Sequence, residues 1–169
     1  GGATRLVVSS LAKLGFLRIN IAHQNESIGG GLVEELKKKF FDMEFRYVHF
    51  GEVTTLDGDH SIVVNTVPLT LENELLDELY FFNFLKADGV VVDLNMIPAE
   101  TPLMLEAKDW GARHLSGEYF ITAQDQYMLE LLTGKSLNLE AYRAAFRAKI
   151  DSVPFDTSTI LKRFRERGS

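Results

Sequence analysis

Short β-branched runs alternate along the chain with stretches whose apolar residues recur three and four positions apart. Over 3–14, Leu6, Val7, Ser10, Leu11 and Leu14 share one helical face, and Gly15 ends the pattern. Residues 16–22 read as a strand and 26–41 as a second helix. Gly29, Gly30 and Gly31 are costly inside a helix and leave its start open. A strand follows near 45–49, then a loop at 51–60 and a compact strand at 61–65 that runs into Pro68. A helical stretch rich in Leu, Tyr and Phe covers about 72–85, and 89–93 is a buried-type strand. Thr101 and Pro102 suit the N-cap and first position of a helix that stops at Trp110–Gly111. A short strand near 112–115 and helices over 118–133 and 139–150 complete the body. Alternation of this kind predicts an α/β fold, a doubly wound parallel sheet with helices on both faces.

Composition narrows the class. The chain has 169 residues, 46% of them apolar and 25% charged, and its twelve Phe supply enough surface to bury; a disordered chain is excluded. It contains no Cys, so disulfide scaffolds, thiolate zinc sites and cysteine nucleophiles drop out together. No apolar run reaches the roughly 20 residues that span a bilayer, and the first residues lack the regions of a signal peptide. The net charge of −6 is uneven: residues 1–138 hold 11 Lys and Arg against 20 Asp and Glu, and 139–169 hold 7 against 4. An acidic body disfavours nucleic acid as a partner. The basic run Lys162-Arg163-Phe164-Arg165-Glu166-Arg167 reads as the solvated side of a last helix, with Ile160, Leu161 and Phe164 as its apolar side.

A doubly wound sheet holds its ligand beyond the carboxyl ends of its strands. The expected site therefore gathers Gly1-Gly2, His23-Gln24-Asn25, Asn65-Thr66-Val67-Pro68, Asp93-Leu94-Asn95-Met96 and the Gly117 turn. Other signals read as structural. Gly134-Lys135-Ser136 mimics the end of a phosphate loop, but Leu129 stands where its first glycine should be, so it reads as a helix C-cap. His49, His60 and His114 read as surface or loop residues without metal spacing, and no Gly-x-Ser-x-Gly elbow is present. The stretch Tyr80-Phe81-Phe82-Asn83-Phe84 reads as core.

Gly1-Gly2 ahead of a helix suits the approach of a pyrophosphate to a helix N-terminus. About 20 residues after such a loop, an acid reads a ribose 2′-hydroxyl or an Arg binds a 2′-phosphate. His23-Gln24-Asn25-Glu26 supplies no fixed cation, and Glu26 lies far along for the acid's task. The choice between NAD and NADP stays open on these residues.

Five segments in order carry a family resemblance over most of 1–150. Gly1-Gly2-Ala3-Thr4-Arg5 resembles the second half of the Gly-Ala-Gly-Gly-Ala-x-Arg-Ala loop of the shikimate dehydrogenases. Asn65-Thr66-Val67-Pro68-Leu69 is similar to their Asn-Ala-Thr-Pro-Leu-Gly-Met segment. Asp93-Leu94-Asn95-Met96-Ile97-Pro98 with Glu100-Thr101-Pro102-Leu103 resembles Asp-x-x-Tyr-x-Pro-x-x-Thr-Pro-Leu. Gly117 and Gln124 keep the ends of Gly-x-x-Met-Leu-x-x-Gln, and Thr133-Gly134 matches the end of Trp-Thr-Gly. The resemblance implies a Rossmann-like NAD(P)-binding domain over 1–150, with 151–169 a helical extension. It also implies a cytoplasmic enzyme of aromatic amino acid biosynthesis that interconverts 3-dehydroshikimate and shikimate.

In that family, Gly1, Gly2 and Ala3 would cradle the pyrophosphate, and His23, Gln24 and Asn25 replace the Asn-Arg-Thr whose Arg holds the NADP 2′-phosphate. Asn65, Thr66 and Val67 would line the cofactor, Leu94 and Gly117 would lie near the nicotinamide, and Gln124 would bond a substrate hydroxyl. Met96 stands for a substrate-contacting Tyr and Phe120 for a Met of the nicotinamide pocket. The family's catalytic Lys and Asp belong to an N-terminal substrate domain that nothing in this chain resembles. No catalytic residue and no metal ligand is therefore expected in it, and a first strand is expected before Gly1. The expected partners are a small-molecule substrate, that substrate domain and a second copy in a homodimer, with no nucleic acid and no membrane. Two other readings compete: a non-catalytic nucleotide-binding or interaction module, motivated by Gln24, Met96 and Phe120, and an NAD-dependent quinate or shikimate dehydrogenase.

Overall fold

The computed structural model describes residues 1–68, 82–97 and 100–152. They fall into two compact units, 1–58 and from 59 onward. The first consists of α1 (Gly2–Lys13), β1 (Arg18–His23), α2 (Glu26–Lys37), β2 (Glu44–His49) and a 3-10 helix (Phe50–Thr55). Strands β1 and β2 run parallel, in register from Arg18 opposite Glu44 to His23 opposite His49. A parallel pair needs a crossover, and α2 supplies it. The core joins Val8 of α1, Ile21 of β1, Val33 and Leu36 of α2 and Phe45 of β2. Each such side chain contributes roughly 1.5–3 kcal/mol by leaving water.

The glycine run does not delay α2. Asn25 caps the helix by accepting from the Ile28 N–H, and helix begins at Glu26. Gly29 is there for packing: a Cβ would stand 2.5 Å from the Tyr47 ring and 2.9 Å from the His23 Cβ. The helix stops at Lys37, short of the expected 41. On α1 the buried stripe differs from the expected face. Val8 and Leu11 are buried with Thr4 and Val7 half-buried, an i, i+3, i+4, i+7 pattern, while Leu6 and Leu14 face solvent. Gly15 ends the helix at φ +86°, as the pattern predicts. The 3-10 turn lies in the segment expected to be loop, held by Val53, which is buried.

The second unit contains β3 (His60–Asn65), β4 (Leu85–Asp93), α3 (Pro102–Asp109), β5 (Arg113–Ser116), α4 (Gly117–Thr133) and α5 (Leu139–Asp151). Its strands form a parallel sheet in the order β3-β4-β5. At their carboxyl ends Asn65 lies opposite Asp93, and Asp93 opposite Ser116. Strand β4 starts at Leu85 and reaches full register only at Val90, so a bulge separates the two pairings. Residues 82–85 are accordingly not helical: Phe82 and Phe84 sit fully in the core as expected, and Leu85 opens the strand. The rest of the expected 72–85 helix, Tyr80, Phe81, Pro98 and the run 153–169 lie outside the described residues. Thr101 caps α3 through the Met104 N–H with Pro102 next, and Gly134 caps α4 at φ +65°, so the Gly-Lys-Ser run is a helix end. Among the described residues no helix is long and apolar enough to cross a membrane.

Candidate functional site

In the first unit two places answer to the expected site. Gly1 is the N-cap of α1 and offers no side-chain cap to the helix N–H groups. A Cβ on Gly1 or Gly2 would meet nothing within 4 Å, so the main chain there is open to approach. The donor set of this helix start, main-chain amides at the positive end of a helix dipole, fits a phosphate group. Arg5 borders it. Its guanidinium donates to the Gly1 carbonyl at 3.2 Å and forms a two-pronged pair with Glu35 of α2, whose other partner is Lys39. Those bonds, Arg5 first, hold the Glu35 carboxyl down to about 2.

The second place is the turn from β1 to α2. His23 closes the strand, and its Nδ1 accepts from the Asn25 N–H at 2.9 Å. Tyr47 donates its hydroxyl to the His23 carbonyl at 2.9 Å. Burial, with the carboxylates of Glu26 and Glu52 behind it, raises the Tyr47 phenol above its ordinary value. Gln24 is exposed between the two structured neighbours.

The second unit builds a denser array around Asp93, which is wholly buried at the end of β4. Its Oδ1 accepts from Asn65 Nδ2 at 3.0 Å, from the Asn95 N–H at 3.0 Å and from Asn95 Nδ2 at 2.7 Å. Its Oδ2 accepts from the Thr101 hydroxyl at 2.6 Å. The two Asn amides also converge on the Val67 carbonyl, at 3.3 and 2.9 Å, and Asn65 Oδ1 accepts from the Val67 N–H at 2.9 Å. One buried carboxylate thus fixes the exits of two strands and the start of α3, and every buried polar side-chain atom among the described residues has a partner. Gly117 completes the array. Its N–H donates to the Asn95 carbonyl at 3.2 Å, and a Cβ there would lie 2.3 Å from the Leu94 carbonyl oxygen. Only glycine lets α4 begin against that main chain.

Of the expected residues, Asn65, Val67, Leu94 and Gly117 are therefore brought together. Thr66 and Met96 are half-buried beside them. Gln124 is exposed on α4, two turns past Gly117 and about 10 Å along the axis. Phe120 lies nearer the start of that helix and is half-buried. Asp93, Asn95 and Thr101 do the positioning: Asp93 and Asn95 were expected at this strand exit and Thr101 as the cap of α3, none of them with a role in ordering the site. An Asp closing a Val-Val-Val run, Asn two residues on and a Thr-Pro helix start mark those positions locally, though not the bonds that join them. His49 and His114 are exposed, on the strands expected to carry them, and His60 is half-buried against the Phe84 carbonyl. Among the described residues no group of three His, Asp or Glu is placed to hold a metal ion.

No protein-family model matches the chain. Its sequence is 28% identical over 151 residues to the shikimate dehydrogenase (NADP(+)) of Methanococcus maripaludis, covering 89% of this chain and 52% of that protein. It is 30% identical over 153 residues to the enzyme of that name from Methanocaldococcus jannaschii, covering 89% and 53%. The chain thus spans about half the length of these relatives. Among solved structures, quinate dehydrogenase from Corynebacterium glutamicum, in complex with NAD, superposes with a TM-score of 0.70 at 21% identity over 88% of this chain and 52% of its own. Shikimate 5-dehydrogenase from Thermus thermophilus, in complex with shikimate, gives 0.68 at 22% identity over 89% and 52%. That likeness establishes the Rossmann-like α/β fold. Over nearly nine tenths of its residues this chain is homologous to the shikimate dehydrogenases, and it matches about half of their length.

Proposed function

We propose that the chain is the cofactor-binding part of a cytoplasmic NAD(P)-dependent oxidoreductase that interconverts 3-dehydroshikimate and shikimate. The observation that carries this reading is the Asp93 array, which orders Asn65, Val67, Leu94 and Gly117 at the strand ends where a doubly wound fold takes its ligand. Residues 1–150 form the nucleotide-binding domain, and 151–169 are an extension to it. Gly1, Gly2 and Ala3 present main-chain amides to the pyrophosphate. His23, Gln24 and Asn25 face the adenosine ribose. Asn65, Thr66 and Val67 line the nicotinamide half, with Leu94 and Gly117 fixing its orientation. Met96 and Gln124 face the substrate. When bound, the dinucleotide supplies the hydride chemistry; this chain's residues bind and orient it. The Lys and Asp that move protons come from a separate substrate domain, and a homodimer is the working assembly.

Calorimetric titration of the chain with NADH and NADPH tests the binding claim, and shikimate oxidation by the natural full-length protein tests the activity. Saturable binding of at least one dinucleotide is expected. Failure to bind either removes the reading. Binding with no turnover in the full-length protein reduces it to a nucleotide-binding module.

A further inference from the structure

We propose that the turn from β1 to α2 selects a dinucleotide with a free adenosine 2′-hydroxyl, NAD(H), and rejects the 2′-phosphate of NADP(H). The inference rests on the nucleotide-binding reading above and sharpens it. In a doubly wound nucleotide-binding fold, the strand end about 20 residues beyond the glycine turn faces the adenosine ribose. His23, which closes β1, falls at that distance from Gly2.

A 2′-phosphate needs fixed cationic donors, and a neutral amide does not replace a guanidinium. The chain has no Lys or Arg from 19 to 36 and none from 47 to 85, so neither the exit of β1 nor the exit of β2 offers one. Arg46 is the nearest basic residue on β2, three positions before its end and about 10 Å back along the strand. Arg5, the basic residue of α1's first turns, is engaged by Glu35. What the turn does present includes no fixed cation. His23 Nδ1 and Asn25 Oδ1 are spent on main-chain N–H groups, at 2.9 and 3.1 Å. Gln24 is an exposed amide, and Glu26 stands in the first turn of α2. Burial first, and then the carboxylates of Glu26 and Glu52, raise the Tyr47 phenol, whose hydroxyl is bonded to the His23 carbonyl, so acidic side chains stand close to this strand end. A hydroxyl finds acceptors and neutral donors there; a phosphate finds like charge, and neither strand exit supplies a cation to offset it.

The test titrates the unaltered chain with NADH and, separately, with NADPH at one ionic strength, followed by calorimetry. NADH is expected to bind about tenfold tighter or more, and Gln24→Arg to raise the NADPH affinity by about tenfold. NADPH binding as tightly as NADH to the unaltered chain would overturn the proposal while leaving the nucleotide-binding reading intact. An unchanged NADPH affinity in the Gln24→Arg chain would also overturn it, since the turn would not then be the selecting element. Absence of binding by both dinucleotides would overturn the nucleotide-binding reading and this inference with it.

Discussion

Asp93 shows how one side chain can set the geometry of a site without occupying its surface. It receives four hydrogen bonds while fully buried, and every one comes from a donor. Asparagine has the same shape but only one acceptor oxygen, and its NH2 must then face either the Asn65 and Asn95 donors or the Thr101 hydroxyl. Thr101 already accepts from the Met104 N–H at 3.3 Å as the cap of α3. Reversing its hydroxyl to suit an asparagine would leave part of the array unsatisfied. Asp93→Asn is therefore expected to lower the unfolding free energy by about 2–3 kcal/mol, the cost of leaving buried donors unpaired. Urea denaturation checks this; a midpoint equal to that of the unaltered chain would show that the array tolerates a donor in place of an acceptor. Gly117 depends on the same array by a different route, since its close approach is to the main chain of Leu94 and Asn95, which Asp93 holds.

Pairs of elements are tied by charge in both units, with different consequences. In the first, Glu35 on α2 joins Arg5 on α1 and Lys39 just past the end of α2. Its folded value of about 2 lies below the unfolded 4.5, so the bond's contribution is complete above about pH 4.5 and is lost as pH falls from there toward 2. Glu35→Gln should flatten the acid limb of the stability profile, seen as urea midpoints that change less with pH over that window. Because both partners are partly exposed, high salt should weaken the effect in the unaltered chain. In the second unit, Glu118 in the first turn of α4 is buried and receives Arg147 of α5 through Nε at 2.8 Å and a terminal nitrogen at 2.6 Å. Arg147→Ala strands that carboxylate, and a loss of about 2–3 kcal/mol is expected, measured by thermal unfolding. Element positions were largely legible in the sequence because Gly15, Thr101-Pro102 and Gly134 punctuate helices chemically. The α1 face was not, since Leu6 and Leu14 fit a helical stripe as well as Val8 does, and only the partners Ile21 and Val33 decide between them. The 3-10 turn was hidden for a similar reason: one buried Val53 holds it, which no periodicity announces.

For the molecule as a whole, the candidate site was legible as an ordered series of strand exits, and the supporting array around Asp93 was not. Hydrogen bonds between residues such as Asn65 and Asp93, 28 positions apart, leave no local pattern. The same distribution shapes what a ligand should do to stability. The residues proposed to meet the dinucleotide are scattered along the sequence from Gly1 to Gly117, so a bound dinucleotide acts on the folded chain and has no comparable site on the unfolded one. By mass action a ligand at 100 times its Kd then adds about 2.7 kcal/mol. For a chain of 169 residues each kcal/mol moves the midpoint by roughly 2–4 °C. NADH at that excess is accordingly expected to raise the thermal midpoint by about 5–10 °C, followed by circular dichroism because the nucleotide obscures near-ultraviolet absorbance. The increment should grow with the logarithm of ligand concentration. A midpoint that stays fixed while calorimetry reports binding would mean that the nucleotide holds the unfolded chain as well as the folded one, and the strand-end site would then lose its claim to be the place of binding.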